Sequence, residues 1–259
     1  MVSAAKLRRA QENIVRARPY AFKLREVLSE IAGRVSPDMH PLLDVRLPKK
    51  VAYLVVTADK GLCGGFNTNI IRRAEKTIKN DANEDYKLIC AGKKGFDYFS
   101  RRNYPILDRY IQFFNNLEYA HAQQITDRII DLYVSEEFDR IYLIYNEFKS
   151  AMQQNIITEQ LLPVVPRELE KENRADYLYE PSPLRILDTL LPLHIGIQVW
   201  RVLLESSAAE HGARMTAMEN ATTNAQDMIE SLSLYYNSVR QASITKELLE
   251  IVGGAEALK

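Results

Sequence analysis

Asp59-Lys60-Gly61-Leu62-Cys63-Gly64-Gly65-Phe66-Asn67 is the one stretch of this chain whose residue types and setting could handle a phosphate. It follows Val51–Ala58, an apolar run that reads as a buried strand, and precedes Thr68–Asn80, which has helical periodicity. A glycine turn between strand and helix is where backbone N–H groups gather around a phosphate. The spacing fails, however. GLCGG is not G-x-G-x-x-G, and no G-K-[ST] follows it. The expectation is a tight turn that needs glycine conformations, with Asn67 or Thr68 capping the helix.

Other chemistry is thin. His40, His121, His194 and His211 are far apart and lack the spacing of metal ligands. There is no G-x-S-x-G elbow and no catalytic cysteine context. Cys63 and Cys90 each sit near the end of an apolar run and read as buried free thiols, not a disulfide. Asp59 and Lys60 read as a solvated pair. No catalytic residue, cofactor or metal is expected.

Composition narrows the classes further. Lysine plus arginine equals aspartate plus glutamate at 34 each, so a nucleic-acid binder, which needs a basic excess, is disfavoured. A hydrophobic content of 46% is that of a folded chain. No run approaches the ~20 consecutive apolar residues that cross a bilayer, so direct membrane insertion is not expected. The arginine-rich start could imitate a transit peptide. Its apolar seam continues unbroken to Ile31, so it reads as structural helix.

The elements around the turn form a strand–helix–strand series. Tyr86–Gly92 is a second strand, Lys94–Arg101 a short helix and Tyr104–Tyr110 a third strand. Glu118–Phe138 reads as a helix, Arg140–Phe148 as a strand, and Ile156–Val165 and Asp176–Tyr179 as further strands. That is an α/β unit on a largely parallel sheet.

Both ends of the chain are long helical stripes. Leu7, Ala10, Ile14, Ala17, Ala21, Leu24, Leu28 and Ile31 alternate steps of three and four, until Pro37, Pro41 and Pro48 stop the helix. Met218, Ala221, Ala225, Met228, Leu232, Tyr235, Val239 and Ala242 do the same, in a stretch without proline after Pro192. Read as helix, the C-terminal stretch is roughly 90 Å long, too long for a core. The two arms are expected to pair antiparallel. The fold class is therefore α/β, a Rossmann-like central domain flanked by long N- and C-terminal helices forming an antiparallel coiled coil. The divisions fall at 1–36, 49–180 and 183–259.

Three long motifs now carry a resemblance. TADKGLCGGFN (Thr57–Asn67), EHGARMTAMENATTNA (Glu210–Ala225) and YNSVRQASITKELLEIVGGAEAL (Tyr236–Leu258) closely resemble the gamma subunit of F-type ATP synthases. AAKLRRAQ at Ala4–Gln11, the following ARPY, and YLYEP at Tyr177–Pro181 match the same family. The resemblance implies the central shaft of a rotary machine, with no catalytic group of its own. Its coiled coil would stand inside a hexamer of alpha and beta subunits, and its middle domain, with epsilon, on the c-ring. Its place would be the cytoplasmic face of a bacterial inner membrane, as a peripheral part of the synthase.

Matching residue by residue, the resemblance puts Arg214, Arg240, Gln241, Thr245 and Glu247 at contacts with alpha and beta. It puts Ile251, Val252, Ala255 and Leu258 at a tip turning in an apolar sleeve, and Tyr177, Leu178, Tyr179 and Glu180 at the c-ring. Family members begin several helical turns earlier. The upper part of the last helix, from about Tyr236, is therefore expected to lack a partner here, and this chain to assemble less stably than one extended upstream. Two other classes compete. A nucleotide-dependent α/β enzyme would bind nucleotide at Gly61–Gly65, and a free coiled-coil adaptor with a degenerate nucleotide-binding-like domain would form a homodimer.

Overall fold

Alternation of side-chain direction along the first strand decides the layering of this protein, seen here in a computed structural model that describes residues 2–33, 35–81, 85–150, 153–165 and 182–256. In β1 (Lys50–Val56), Val51, Tyr53 and Val55 point to one face of the sheet and Ala52, Leu54 and Val56 to the other. Both faces are covered, which is why the run is apolar throughout. Tyr53 and its neighbours pack with Phe66, Ile70 and Ala74 of α2 (Phe66–Asn80) and Phe99 of α3 (Lys93–Arg101). Leu54 and its neighbours pack with Ile125, Ile129 and Leu132 of α4 (Tyr119–Val134).

The other strands are β2 (Asp85–Ala91), β3 (Ile106–Tyr110), β4 (Arg140–Phe148) and β5 (Gln154–Leu162). Their order is β3-β2-β1-β4-β5. The first four are parallel, and β5 returns antiparallel beside β4. Chain order thus reverses direction at β1, and the crevice at the C-terminal ends of β1 and β4 is where such sheets place ligands.

The expected strands and helices are present with shifted ends. The third strand starts at Ile106 rather than Tyr104, and α4 stops at Val134, four residues before Phe138. β5 begins at Gln154 and ends at Leu162, before the Leu162–Pro163 bond. The strand expected at Asp176–Tyr179 lies outside the described residues.

Helices α1 (Val2–Ala32) and α5 (Pro183–Glu256) are the two long stripes, and each carries a proline within it, Pro19 and Pro192. The N-terminal seam is as expected: Leu7, Ala10, Ile14, Ala21, Leu24, Leu28 and Ile31 are buried, and Ala17 is partly buried. Its partner differs from the expectation. Arg18 meets Glu205, and Ala21 and Leu24 cluster with Ile197. Leu7, Ala10 and Ile14 join Leu204, Ala208 and Ala209. The helices therefore run antiparallel, but α1 uses the part of α5 before Met218. The Met218–Ala242 stripe has the right periodicity and is exposed, and exposure starts at Met218 rather than near Tyr236. Periodicity reports that a face is apolar and leaves open what covers it.

The chain divides into two compact units, Met1–Thr216 and Ala217–Lys259. The first holds the sheet, α1 to α4 and the start of α5; the second is helix. One window of α5 is long and apolar enough to cross a membrane, with mean hydropathy 1.3, and 56% of it is buried inside the fold. That is the behaviour of a core helix.

Candidate functional site

The end of β1 is tied to the loops after β2 and β3 by the chain's own side chains. Asp59 leaves the strand and its Oδ1 accepts the backbone N–H of Lys93 (3.0 Å) and of Gln112 (2.9 Å). Its Oδ2 accepts from Phe114 N at 3.4 Å. Lys93 is the first residue of α3, so the carboxylate occupies a helix N-terminus, the position an anionic ligand would take. One residue type thus ties three loops together.

Thr57 seals the next position. Its Oγ1 accepts the N–H of Gly95 at 2.9 Å, and α3 lies so close that a Cβ on Gly92 would stand 2.1 Å from the Thr57 carbonyl oxygen. Gly92 also has φ +103°, which side chains rarely adopt. Asn67 does not cap α2, contrary to the sequence expectation. The helix begins at Phe66 behind Gly65, and the Asn67 side-chain carbonyl accepts the N–H of Ala58 at 2.9 Å. Nor do all the glycines adopt special conformations: in the turn, Gly64 and the non-glycine Leu62 have positive φ. Cys63 and Cys90 are buried and free, and burial pushes the Cys63 thiol up and that of Cys90 up to about 12. Both are held as inert core thiols.

The outer side of this turn meets α5. Arg214 donates from Nε and Nη2 to the Gly61 carbonyl at 3.3 and 3.1 Å, and its Nη2 lies 2.6 Å from Glu210 Oε1. Both side chains are nearly buried, at 16% and 7% exposure. Burial pushes the Glu210 carboxyl up, against the opposing pull of Arg214. His211 is held down at about 4 by burial, then by Arg214 and Lys6.

Lower on α5, Glu205 accepts Arg18 Nη2 at 2.8 Å through Oε1 and the N–H of Phe148 at 3.0 Å through Oε2. One carboxylate therefore joins α1, α5 and the end of β4. Arg201 donates to the Tyr145 hydroxyl at 2.9 Å and to Glu159, reaching β4 and β5, while Gln198 Oε1 accepts its Nε at 2.9 Å. These groups line a groove of about 450 Å³ beside Phe22 and Arg25. Sequence reading passed over Arg18, Arg201, Glu205 and Glu210. The available signal was their charge: Arg201 and Glu205 interrupt the long apolar stretch Leu187–Ala209 and Glu210 ends it, and buried charge requires a partner.

Arg214 is thus found at the glycine turn with partners inside this chain. Arg240, Gln241, Thr245 and Glu247 are exposed on α5, where Thr245 Oγ1 donates to the Gln241 carbonyl at 2.9 Å. Ile251, Val252 and Ala255 are exposed beyond them. Leu258, Tyr177, Leu178, Tyr179 and Glu180 lie outside the described residues. Among the described residues no group of three or more histidine, cysteine or acidic side chains could hold a metal.

Comparison with known proteins bears on the whole chain. The ATP synthase family matches residues 1–258. The ATP synthase gamma chain of Chlorobium limicola is 48% identical over 265 residues, covering 100% of this chain and 91% of that protein. That of Geobacter metallireducens is 50% identical over 262 residues, with the same two coverages. Among solved structures, a central stalk and c-ring of the Tetrahymena thermophila mitochondrial ATP synthase matches with TM-score 0.66 and 26% identity, over 86% of this chain and 96% of that one. A chain of the Euglena gracilis mitochondrial ATP synthase, at 18% identity and TM-score 0.62 over 98% and 95%, shares the fold.

Proposed function

The chain belongs to the ATP synthase gamma-chain family, and on that premise we propose how its parts serve a central-stalk rotor. It is a subunit of the synthase, coupling ion flow through the membrane sector to ATP synthesis on the alpha/beta hexamer. The carrying observation is the surface of α5. Every described residue from Met218 to Ala255 is exposed, and Met228, Leu232, Tyr235 and Val239 put large apolar groups into that surface. An apolar row of this size calls for enclosure by another protein.

In this reading alpha and beta subunits enclose α5. Arg240, Gln241, Thr245 and Glu247 give the polar contacts, with Arg214 lower on the helix, and Ile251, Val252, Ala255 and Leu258 form the apolar tip. Epsilon and the c-ring engage the α/β domain, with Tyr177, Leu178, Tyr179 and Glu180 at the ring. The subunit is not itself catalytic. Asp59 takes the N–H donors at the head of α3 and in the loop after β3, which supports a scaffold held by its own side chains and gives no support to an anion site there. A rotor acts by contacts that differ between the states of its neighbours, and needs no reacting group. Its place is the cytoplasmic face of a bacterial inner membrane.

Reconstitution with alpha and beta subunits tests this. A single copy per hexamer and a rise in ATP hydrolysis are expected. A stable homodimer that ignores alpha and beta would return the chain to the adaptor class, and tight nucleotide binding at Gly61–Gly65 to the enzyme class.

A further inference from the structure

We infer that Arg18–Glu205 and Arg214–Glu210–Gly61 form a two-sided grip that stops α5 from rolling against the α/β domain under torque. The inference rests on the rotor reading and names the residues that pass the load from domain to helix.

A helix turns by about 100° per residue. Arg201 and Glu205 therefore lie within about 40° of each other, as do Glu210 and Arg214, and the two pairs are centred about 180° apart. The first pair is held by α1, β4 and β5, through Arg18, the N–H of Phe148, Tyr145 and Glu159. The second is held by the glycine turn, through the Gly61 carbonyl. The pairs span about 20 Å of helix, from Arg201 to Arg214. Two holds on opposite sides of an axis resist rotation about it, as one hold does not.

Apolar packing cannot supply this alone. Burial of Leu204, Ala208 and Ala209 holds α5 to the domain, but the hydrophobic effect has no direction and small side chains slide. Charge-assisted hydrogen bonds have a fixed length and angle, and the Arg214 and Glu205 contacts are made to backbone groups that cannot turn aside. Buried ion pairs add little net stability over apolar residues of the same size, so their number here points to geometry. The α/β domain is itself braced at that spot. The turn carrying Gly61 is fixed to α3 and to the loop after β3 by Asp59, so load on Gly61 reaches three loops of the sheet. Arg214 and Arg18 act through other residues and are positioning residues.

The test uses the assembled synthase in sealed vesicles, carrying Arg18→Lys, Arg214→Lys or both. Lysine keeps the charge and loses the fork that reaches two acceptors at once. ATP hydrolysis is read in detergent-released enzyme, the ion gradient held at steady state in vesicles, and the torsional stiffness of the rotor in single molecules. With Arg18→Lys the gradient should fall about twofold or more, and stiffness with it, at unchanged hydrolysis; adding Arg214→Lys, at a residue also placed against alpha and beta, should lower stiffness further. Unchanged gradient and stiffness would overturn the grip, and so would hydrolysis and gradient falling in equal proportion, the mark of lost assembly. Should the double variant not assemble, Arg18→Lys alone, at a side chain 39% exposed, is read by the same criteria. Failure of the rotor reading is separate: the unaltered chain would then restore no gradient to vesicles lacking it.

Discussion

The carboxylate of Asp59 accepts the backbone N–H of Lys93 at 3.0 Å, and so a side chain of this protein stands at the head of α3, a helix N-terminus that favours negative charge. Removing it should leave a charge-favouring position empty and three loops untied. Asp59→Ala should lower stability by about 1–3 kcal/mol, and Asp59→Asn, which keeps an acceptor, by less. Urea unfolding of the purified chain measures this. Equal stability of all three forms would mean that water replaces the carboxylate without cost.

Two glycines should respond in opposite ways to the same change. Gly92→Ala places a methyl group 2.1 Å from a backbone oxygen at φ +103°, and neither side can move away. A loss above about 4 kcal/mol, or failure to fold, is expected. Gly253→Ala, in α5 with nothing within 4 Å of the added carbon, should instead strengthen local helix by up to about 1 kcal/mol. Thermal unfolding and helical circular dichroism distinguish the two.

How much could be read from the sequence follows from what each pattern reports. β1, β2 and β4 were legible because a buried strand must be apolar, whatever lies over it. The N-terminal seam was legible for the same reason. The partner of that seam was not, since Met218–Ala242 offers a periodic apolar face while Leu187–Met215 is buried on nearly all sides and carries no such stripe, and only three-dimensional packing chooses between them. The role of Asp59 was hidden too. Its three donors are backbone groups of residues 34 to 55 positions away, and backbone groups carry no sequence signal. Glu205 and Arg201 stood in plain view as charges within an apolar helix, yet their partners come from α1, β4 and β5.

Acid should weaken the fold through two histidines. Burial, then Arg25 and Arg201, holds His194 near 4, and burial, then Arg214 and Lys6, holds His211 near 4, against 6.5 for a free imidazole. As pH falls below 6.5 the unfolded chain takes up protons that the folded chain refuses until about 4, so stability drops across that window. Glu210 opposes this in part, because its raised carboxyl takes up a proton more readily when folded. Urea midpoints at pH 7.5, 6 and 5 should therefore decline, and His194→Gln should flatten the decline. A slope unchanged by that substitution would assign the acid sensitivity elsewhere.

The exposed row on α5 should matter to assembly and not to folding. Met228, Leu232 and Tyr235 are each 59–70% exposed, so replacing any of them by serine removes little that the isolated fold has buried. The effect on stability should stay within about 0.5 kcal/mol. Enclosed by partner subunits, the same side chains would each contribute about 1.5–3 kcal/mol of burial, and losing one should weaken association by tenfold or more, on the order of its transfer free energy. Titrating alpha and beta subunits against the unaltered chain and the Leu232→Ser chain, with thermal unfolding of each chain alone as the control, separates the two quantities. Matched association with unmatched stability would place Leu232 in the fold and take this face away from the partners.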